Sequence, residues 1–220
     1  MPSIEREGDV FVLSLGDGEN RFNDDFLDGV EACLDEVEAA TRSALVTRAG
    51  GKVWSNGLDL EWLGGQGDRV MAFVARLHRV LARLLEAGVP TVAAIQGHAF
   101  AGGAMLALAH DERIMRADRG YFCLPEVDIG IPFTPGMSAL IASRLTAPVA
   151  HEAMTTGRRY GGQDAAAAGI VDQAVPEGDV LDRAIERASA LAGKDPATLG
   201  TIKRRLYAST LEALRDPDLG

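Results

Sequence analysis

The chain has 220 residues, 47% hydrophobic and 25% charged, enough to bury one good-sized core as a single soluble domain. Its net charge of −10 argues against nucleic acid as a partner, because phosphate neutralisation needs a basic surface that the overall balance does not supply. No apolar run approaches the roughly 18 to 20 residues of a membrane span, so no membrane partner is expected.

Residues 3–6 and the alternating Val10, Val12 and Leu15 predict two strands joined across Glu7-Gly8-Asp9. After a loop at 16–20, Asp24 or Asp25 is placed to cap a helix running to about Ala40. Its apolar face is Phe26, Val30, Cys33, Leu34 and Val37. Residues 44–48 read as a strand. The stretch KVWSNGLDL, 52–60, follows with a tight turn at Ser55-Asn56-Gly57 ahead of a helix at Glu61. Asp59, two positions past Gly57, fits a helix cap better than a direct chemical role. A break at 64–67 precedes a long amphipathic helix at 69–87, striped by Val70, Phe73, Val74, Leu77, Val80, Leu81 and Leu84. His78 lies on or near that stripe and reads as a packed side chain.

Residues 91–95, TVAAI, read as a buried strand, and GHAFAGGAMLALA, 97–109, follows it. The pair Gly102-Gly103 opens an apolar helix with little or no wet face. It permits a tight turn and leaves backbone N–H groups uncovered at the positive end of that helix. Two readings stand, close helix packing and the holding of an oxyanion. The Ser55-Asn56-Gly57 turn favours the second, since two such turns can point two N–H groups at one oxygen. Beyond it, short strands are expected at 112–116 and near Tyr121-Phe122. Residues 125–130 then set Glu126 and Asp128 beside apolar residues, ahead of a turn at 132–136. Helices are expected at 137–145, 149–155 and 163–168, a strand at 170–175, and helices at 179–191 and from 197 to about 214. No internal sequence repeat is present. The alternation fits an α/β class.

SNGLDL and GHAFAGGAML together resemble the two hallmark stretches of the crotonase (enoyl-CoA hydratase/isomerase) superfamily. The resemblance continues through 112–131 (ERIMRADRGYFCLPEVDIGI) and 156–172 (TGRRYGGQDAAAAGIVD), and so covers most of the chain. It implies a crotonase-like spiral of ββα units over residues 1–175 carrying an acyl-CoA site, with a shortened helical region, 176–220, in the same domain. The implied substrate is an acyl thioester of coenzyme A, which is itself part of the substrate, so no separate cofactor is implied. By motif position the backbone N–H groups of Leu58 and Gly102 hold the thioester oxygen as it becomes an enolate. Such a donor is fixed before reaction and is worth on the order of 3 kcal/mol. Ser55, Asn56, Gly57, Gly103 and Met105 fall at substrate-binding positions.

Hydratases of this family carry two glutamates that together hold and activate water. Here the first position is Met105, whose thioether cannot accept or deliver a proton. The second is Glu126. One carboxylate suffices to carry a proton from C2 to C4 of a 3-enoyl thioester, because the acid formed in the first half is the donor in the second. The residue set therefore most resembles the Δ3,Δ2-enoyl-CoA isomerases of plant-like type, with Glu126 as sole base and acid. Asp128 points away from Glu126 if that stretch is extended, and stands as a second carboxylate if it is a turn. Glu61 and Glu112 read as solvated or capping charges. Another acyl-CoA reaction on the same fold (hydration, hydrolysis or decarboxylation) and a non-catalytic acyl-CoA binding protein are the alternatives.

Arg21, Lys52, Lys203, Arg204 and Arg205 are candidates for the phosphates of such a ligand, beside their plain reading as solvated surface charges. His98 and His110 lack a second ligand at metal spacing, so no metal is expected. Cys33 and Cys123, far apart, read as small buried residues in a reducing compartment. With no signal-like apolar core at MPSIEREGDV and no SKL-type address in DPDLG, the expected location is cytoplasmic. By resemblance, the expected assembly is a homotrimer or hexamer, although the chain stops sooner after its KR-containing helix than family members commonly do.

Overall fold

The computed structural model describes residues 1–219; Gly220, the last residue of the DPDLG ending, lies outside the described residues. The chain winds as a spiral in which a long strand, one or two short strands and a helix recur. The first turn comprises β1 (Ser3–Glu7), β2 (Val10–Ser14), β3 (Arg21–Phe22) and α1 (Asp24–Ala39). The second comprises β4 (Ala44–Arg48), β5 (Val53–Ser55), β6 (Gly57–Leu58), α2 (Leu60–Gly64) and α3 (Val70–Leu85). The third is β7 (Thr91–Ile95), β8 (His98–Phe100) and α4 (Gly102–Ala109), and the fourth starts with β9 (Glu112–Arg116), β10 (Phe122–Cys123) and α5 (Glu126–Ile129). Then come α6 (Pro135–Arg144), α7 (Ala147–Thr156), α8 (Gly162–Ala167), β11 (Gln173–Val175), α9 (Val180–Leu191), α10 (Pro196–Leu206) and α11 (Ala208–Arg215).

The long strands make a six-stranded sheet in the order β1-β2-β4-β7-β9-β11, antiparallel at the β1-β2 hairpin and parallel elsewhere. The short strands form a second sheet, β10-β8-β5, and a pair, β3-β6, both parallel. This is the α/β spiral that the sequence led us to expect. Parallel strands covered on both faces read as continuous apolar runs, and all five residues of β7 are buried. One face of the sheet is covered by Val180, Ala184 and Ala188 of α9, packed with Val46, Val92 and Ile114. The helical C-terminal region thus shares its core with the sheet.

Helix α4 sits at the centre, with all eight of its residues buried. Helices α3 and α6 pack against it, and α11 packs against both of them. The apolar stripe of α3 faces inward, while Arg76 and Arg83 reach outward to α1, pairing with Asp28 and Glu31 and with Asp35 and Glu38.

Several boundaries differ from expectation for local reasons. Asn23, rather than Asp24 or Asp25, caps α1: its extended backbone lets its side chain accept the Phe26 N–H at 3.0 Å, leaving the two aspartates in the first turn. The last strand starts only at Gln173, because the N–H groups of Ile170 and Val171 both turn back to the Ala165 carbonyl. The last helical stretch is two helices, broken at Tyr207, whose ring lies 5.4 Å from the Arg144 guanidinium.

Candidate active site

Two backbone turns meet at the N-terminus of α4. In the first, the Ser55 hydroxyl accepts the Gly57 N–H at 3.0 Å and donates to the Asn20 carbonyl at 2.8 Å, so this side chain is consumed in shaping the turn. The Asp59 N–H donates to the Phe22 carbonyl at 3.0 Å. Because N–H groups alternate sides along an extended strand, that of Leu58 faces away from β3. Asp59 itself caps α2 by accepting the Trp62 N–H at 3.2 Å.

In the second turn, Ala101 precedes α4 at φ 51°, a strained conformation for a residue with a Cβ. The first bond of the helix runs from the Met105 N–H to the Ala101 carbonyl, leaving the Gly102 N–H without an intrahelical partner at the positive helix end. The turns touch: a Cβ on Gly57, whose φ is +73°, would lie 2.5 Å from the Gly102 nitrogen, and one on Gly103 would lie 2.7 Å from the Ser55 Cβ. Two N–H groups carried by abutting turns suit an oxygen that gains negative charge. Sequence reasoning did not single out Ala101, since its strain comes from closure of the two turns on each other.

Leu58 and Gly102 open onto a cavity of about 1060 Å³, which Asn56, Met105 and Glu126 also line. Ser55, Gly57 and Gly103, expected at the ligand, are absent from its wall and hold the turns from behind. The remainder of the wall is mostly apolar, with Leu63 from α2, Val70 and Val74 from α3, Met137 from α6, Phe133 and Leu219. Neither Phe133 nor Leu219 was read from the sequence as a site residue. Of the candidate cations only Arg21 lines the cavity. Lys203 is buried elsewhere, donating to the Val89 carbonyl at 3.0 Å and to Asp111 at 2.6 Å.

Among the described residues Glu126 is the one acidic side chain on the wall. It begins α5 directly after Pro125, is 5% exposed, and its Oε2 has no hydrogen-bond partner within the protein. Burial disfavours the charged form and pushes its pKa up from 4.5 to about 7, so near neutrality the group can both take and return a proton. The stretch around it is a short helix, which turns Asp128 outward. That carboxylate is exposed, does not line the cavity, and has its Cγ 3.0 Å from where a Gly157 Cβ would stand.

The other titratable candidates are occupied elsewhere. Glu112 pairs with Arg187. His110 is fully enclosed, with Nδ1 2.8 Å from the Leu106 carbonyl and Nε2 2.8 Å from the Thr47 hydroxyl; burial drops its pKa to about 3, so it is neutral. His78 meets the Thr134 hydroxyl at 2.9 Å, and His98 packs between Phe100 and Tyr121. Cys33 and Cys123 are both free and buried.

Comparison with known proteins points the same way. The family described as enoyl-CoA hydratase/isomerase matches residues 5–216. Enoyl-CoA delta isomerase 3 of Arabidopsis thaliana is 36% identical over 219 residues, covering 94% of this chain and 92% of the relative. The peroxisomal enoyl-CoA delta isomerase 2 of the same plant is 37% identical over 222 residues with the same coverage. Among solved structures, the apo enoyl-CoA isomerase of Mycobacterium tuberculosis superposes with a TM-score of 0.90 at 28% identity, covering 98% of this chain and 95% of that one.

Proposed function

The chain belongs to the enoyl-CoA hydratase/isomerase family, and from that premise we propose that it is a Δ3,Δ2-enoyl-CoA isomerase, with Glu126 as its only acid-base group. The relatives named enoyl-CoA delta isomerase support the activity. The observation that carries the mechanism is a single buried carboxyl, poised near pH 7, in a mostly apolar cavity that also presents Leu58 and Gly102. The 3-enoyl thioester lies with its carbonyl oxygen on those two N–H groups. Glu126 takes a proton from C2, the electron pair left behind delocalises into a dienolate, and the oxyanion is held by the fixed backbone donors. Glu126 then returns the proton at C4, leaving the double bond between C2 and C3. Protons and electrons balance with no further reactant, so the reaction needs no cofactor beyond the coenzyme A of the substrate. Met105, 1% exposed, fills the position that would need a carboxylate for water activation, which disfavours hydration.

The test is an assay of purified protein with trans-3-hexenoyl-CoA and, separately, trans-2-hexenoyl-CoA. Conversion of the first to the 2-enoyl isomer is expected, with no water added to the second. Hydration of the second substrate overturns the single-carboxylate mechanism, and silence on both overturns the activity.

We further propose that copies of the chain assemble as a trimer or a doubled trimer, supported by two exposed aliphatic residues one turn apart on α10, Ile202 and Leu206. A monomeric mass in light scattering overturns this. No helix among the described residues is long and apolar enough to cross a membrane. A cytoplasmic location is the accompanying reading, supported by two buried free cysteines.

A further inference from the structure

Helix α11 packs across α3 and α6, the two helices that give the cavity Val70, Val74 and Met137. Beyond it the chain continues through Asp216, Pro217 and Asp218, all exposed, before Leu219 turns inward, 6% exposed, into the main apolar cluster and onto the cavity wall. A local device sets this inward turn. The Asp216 carboxylate accepts the Asp218 N–H at 2.9 Å, and Pro217 keeps Asp216 extended at φ −62°, ψ 125°. Leu219 is thus delivered to the cavity by a short preorganised turn rather than by a helix fixed in the core.

We propose that Leu219 sets the acyl chain length that the cavity accepts, by limiting the apolar space on the α3 and α6 side. This rests on the acyl-CoA reading of the cavity. Leu219 belongs to the main apolar cluster and to a wall that is mostly apolar, so the part of the ligand it meets is hydrocarbon, and each methylene that gains burial is worth about fourfold in affinity. Replacing Leu219 by Ala removes three side-chain carbons and opens room for about two further methylenes, whereas Phe takes space away.

The experiment measures dissociation constants of saturated hexanoyl-CoA and tetradecanoyl-CoA by calorimetry for the full chain and for Leu219→Ala and Leu219→Phe. Turnover of the matching 3-enoyl thioesters is followed in parallel. The ratio of tetradecanoyl to hexanoyl affinity is expected to rise about tenfold in Leu219→Ala and to fall by a similar factor in Leu219→Phe. Ratios within twofold of the unaltered protein in both variants overturn the proposal, whether or not turnover is seen. Binding without turnover of any 3-enoyl thioester counts against the isomerase instead, and leaves the ratios to decide the role of Leu219. Circular dichroism of both variants identifies any loss of fold, and the opposite signs expected for Ala and Phe separate a change of space from general loosening.

Discussion

Gly57 and Gly102 bring two separate turns so close that a single Cβ on Gly57 would stand 2.5 Å from the Gly102 nitrogen. That nitrogen is one of the two proposed donors to the thioester oxygen, and the other follows Gly57 directly. Gly57→Ala therefore pushes the two donors apart and also forces an alanine to φ +73°. Expected is a loss of a hundredfold or more in kcat on 3-hexenoyl-CoA, with the circular dichroism spectrum retained and stability lowered by about 1–3 kcal/mol. A stable variant with full turnover would remove the donor assignment.

Glu126 is expected to govern both the rate and part of the pH dependence of stability. Its pKa rises from 4.5 to about 7 on folding, so the proton is held by the folded protein over a window in which the unfolded chain has lost it. The advantage is complete below pH 4.5, fades as pH climbs to 7, and beyond 7 the folded state carries the cost of a buried charge. Glu126→Gln should match the unaltered protein in stability near pH 4.5 and exceed it above pH 7, by up to about 3 kcal/mol. Its isomerase activity should fall by about a thousandfold or more. In the unaltered enzyme kcat/KM should climb with pH and level off above an apparent pKa near 7. Urea unfolding at several pH values checks the first expectation, and initial rates over the same range check the others.

Asp128 supplies the control. Lying outside the cavity and against Gly157, it has no route to the acyl group, so Asp128→Asn should leave kcat and KM within about twofold and the pH profile unmoved. A tenfold loss, or a shift in the apparent pKa, would return it to the chemistry.

The parts of this site that were legible in the sequence are those that local chemistry dictates. Gly57 announces a turn because its φ of +73° suits few other residues, Gly102-Gly103 mark a close approach in which an added Cβ would crowd Phe22 and Ser55, and the Asp59 cap is a three-residue relationship. What stayed hidden depends on closure between distant segments. Strand β8 is only three residues long and exists because β5 and β10 flank it. The outward turn of Asp128 needed the short helix α5 to be recognised as one, and four residues carry too little periodicity for that. The strain at Ala101 is imposed by tertiary contacts, and the residue is not unusual for its neighbourhood in the chain. The roles given to Ser55 and Gly103 show the same limit: the motif marks where the site is, while only the packing separates residues that line it from residues that brace it.

The far end of α4 has its own anchor. Arg144 donates from Nε to the Leu108 carbonyl at 2.9 Å and from Nη2 to the carbonyls of His110 and Asp111, each at 2.8 Å. Its planar fork thus satisfies groups at the C-terminus of a wholly buried helix, where a cation also suits the helix dipole. Bonds from a charged donor contribute about 1.5–3 kcal/mol each. Losing three at once is not additive, because the carbonyls retain partial partners such as Arg113, which donates to the His110 carbonyl at 3.0 Å. Arg144→Met should lower stability in urea by about 3–5 kcal/mol. Arg144→Lys should recover less than half of that, since one ammonium cannot reach all three carbonyls in the geometry of the fork. Full recovery by lysine would mean that the charge at the helix end, rather than the fork, is what the position requires.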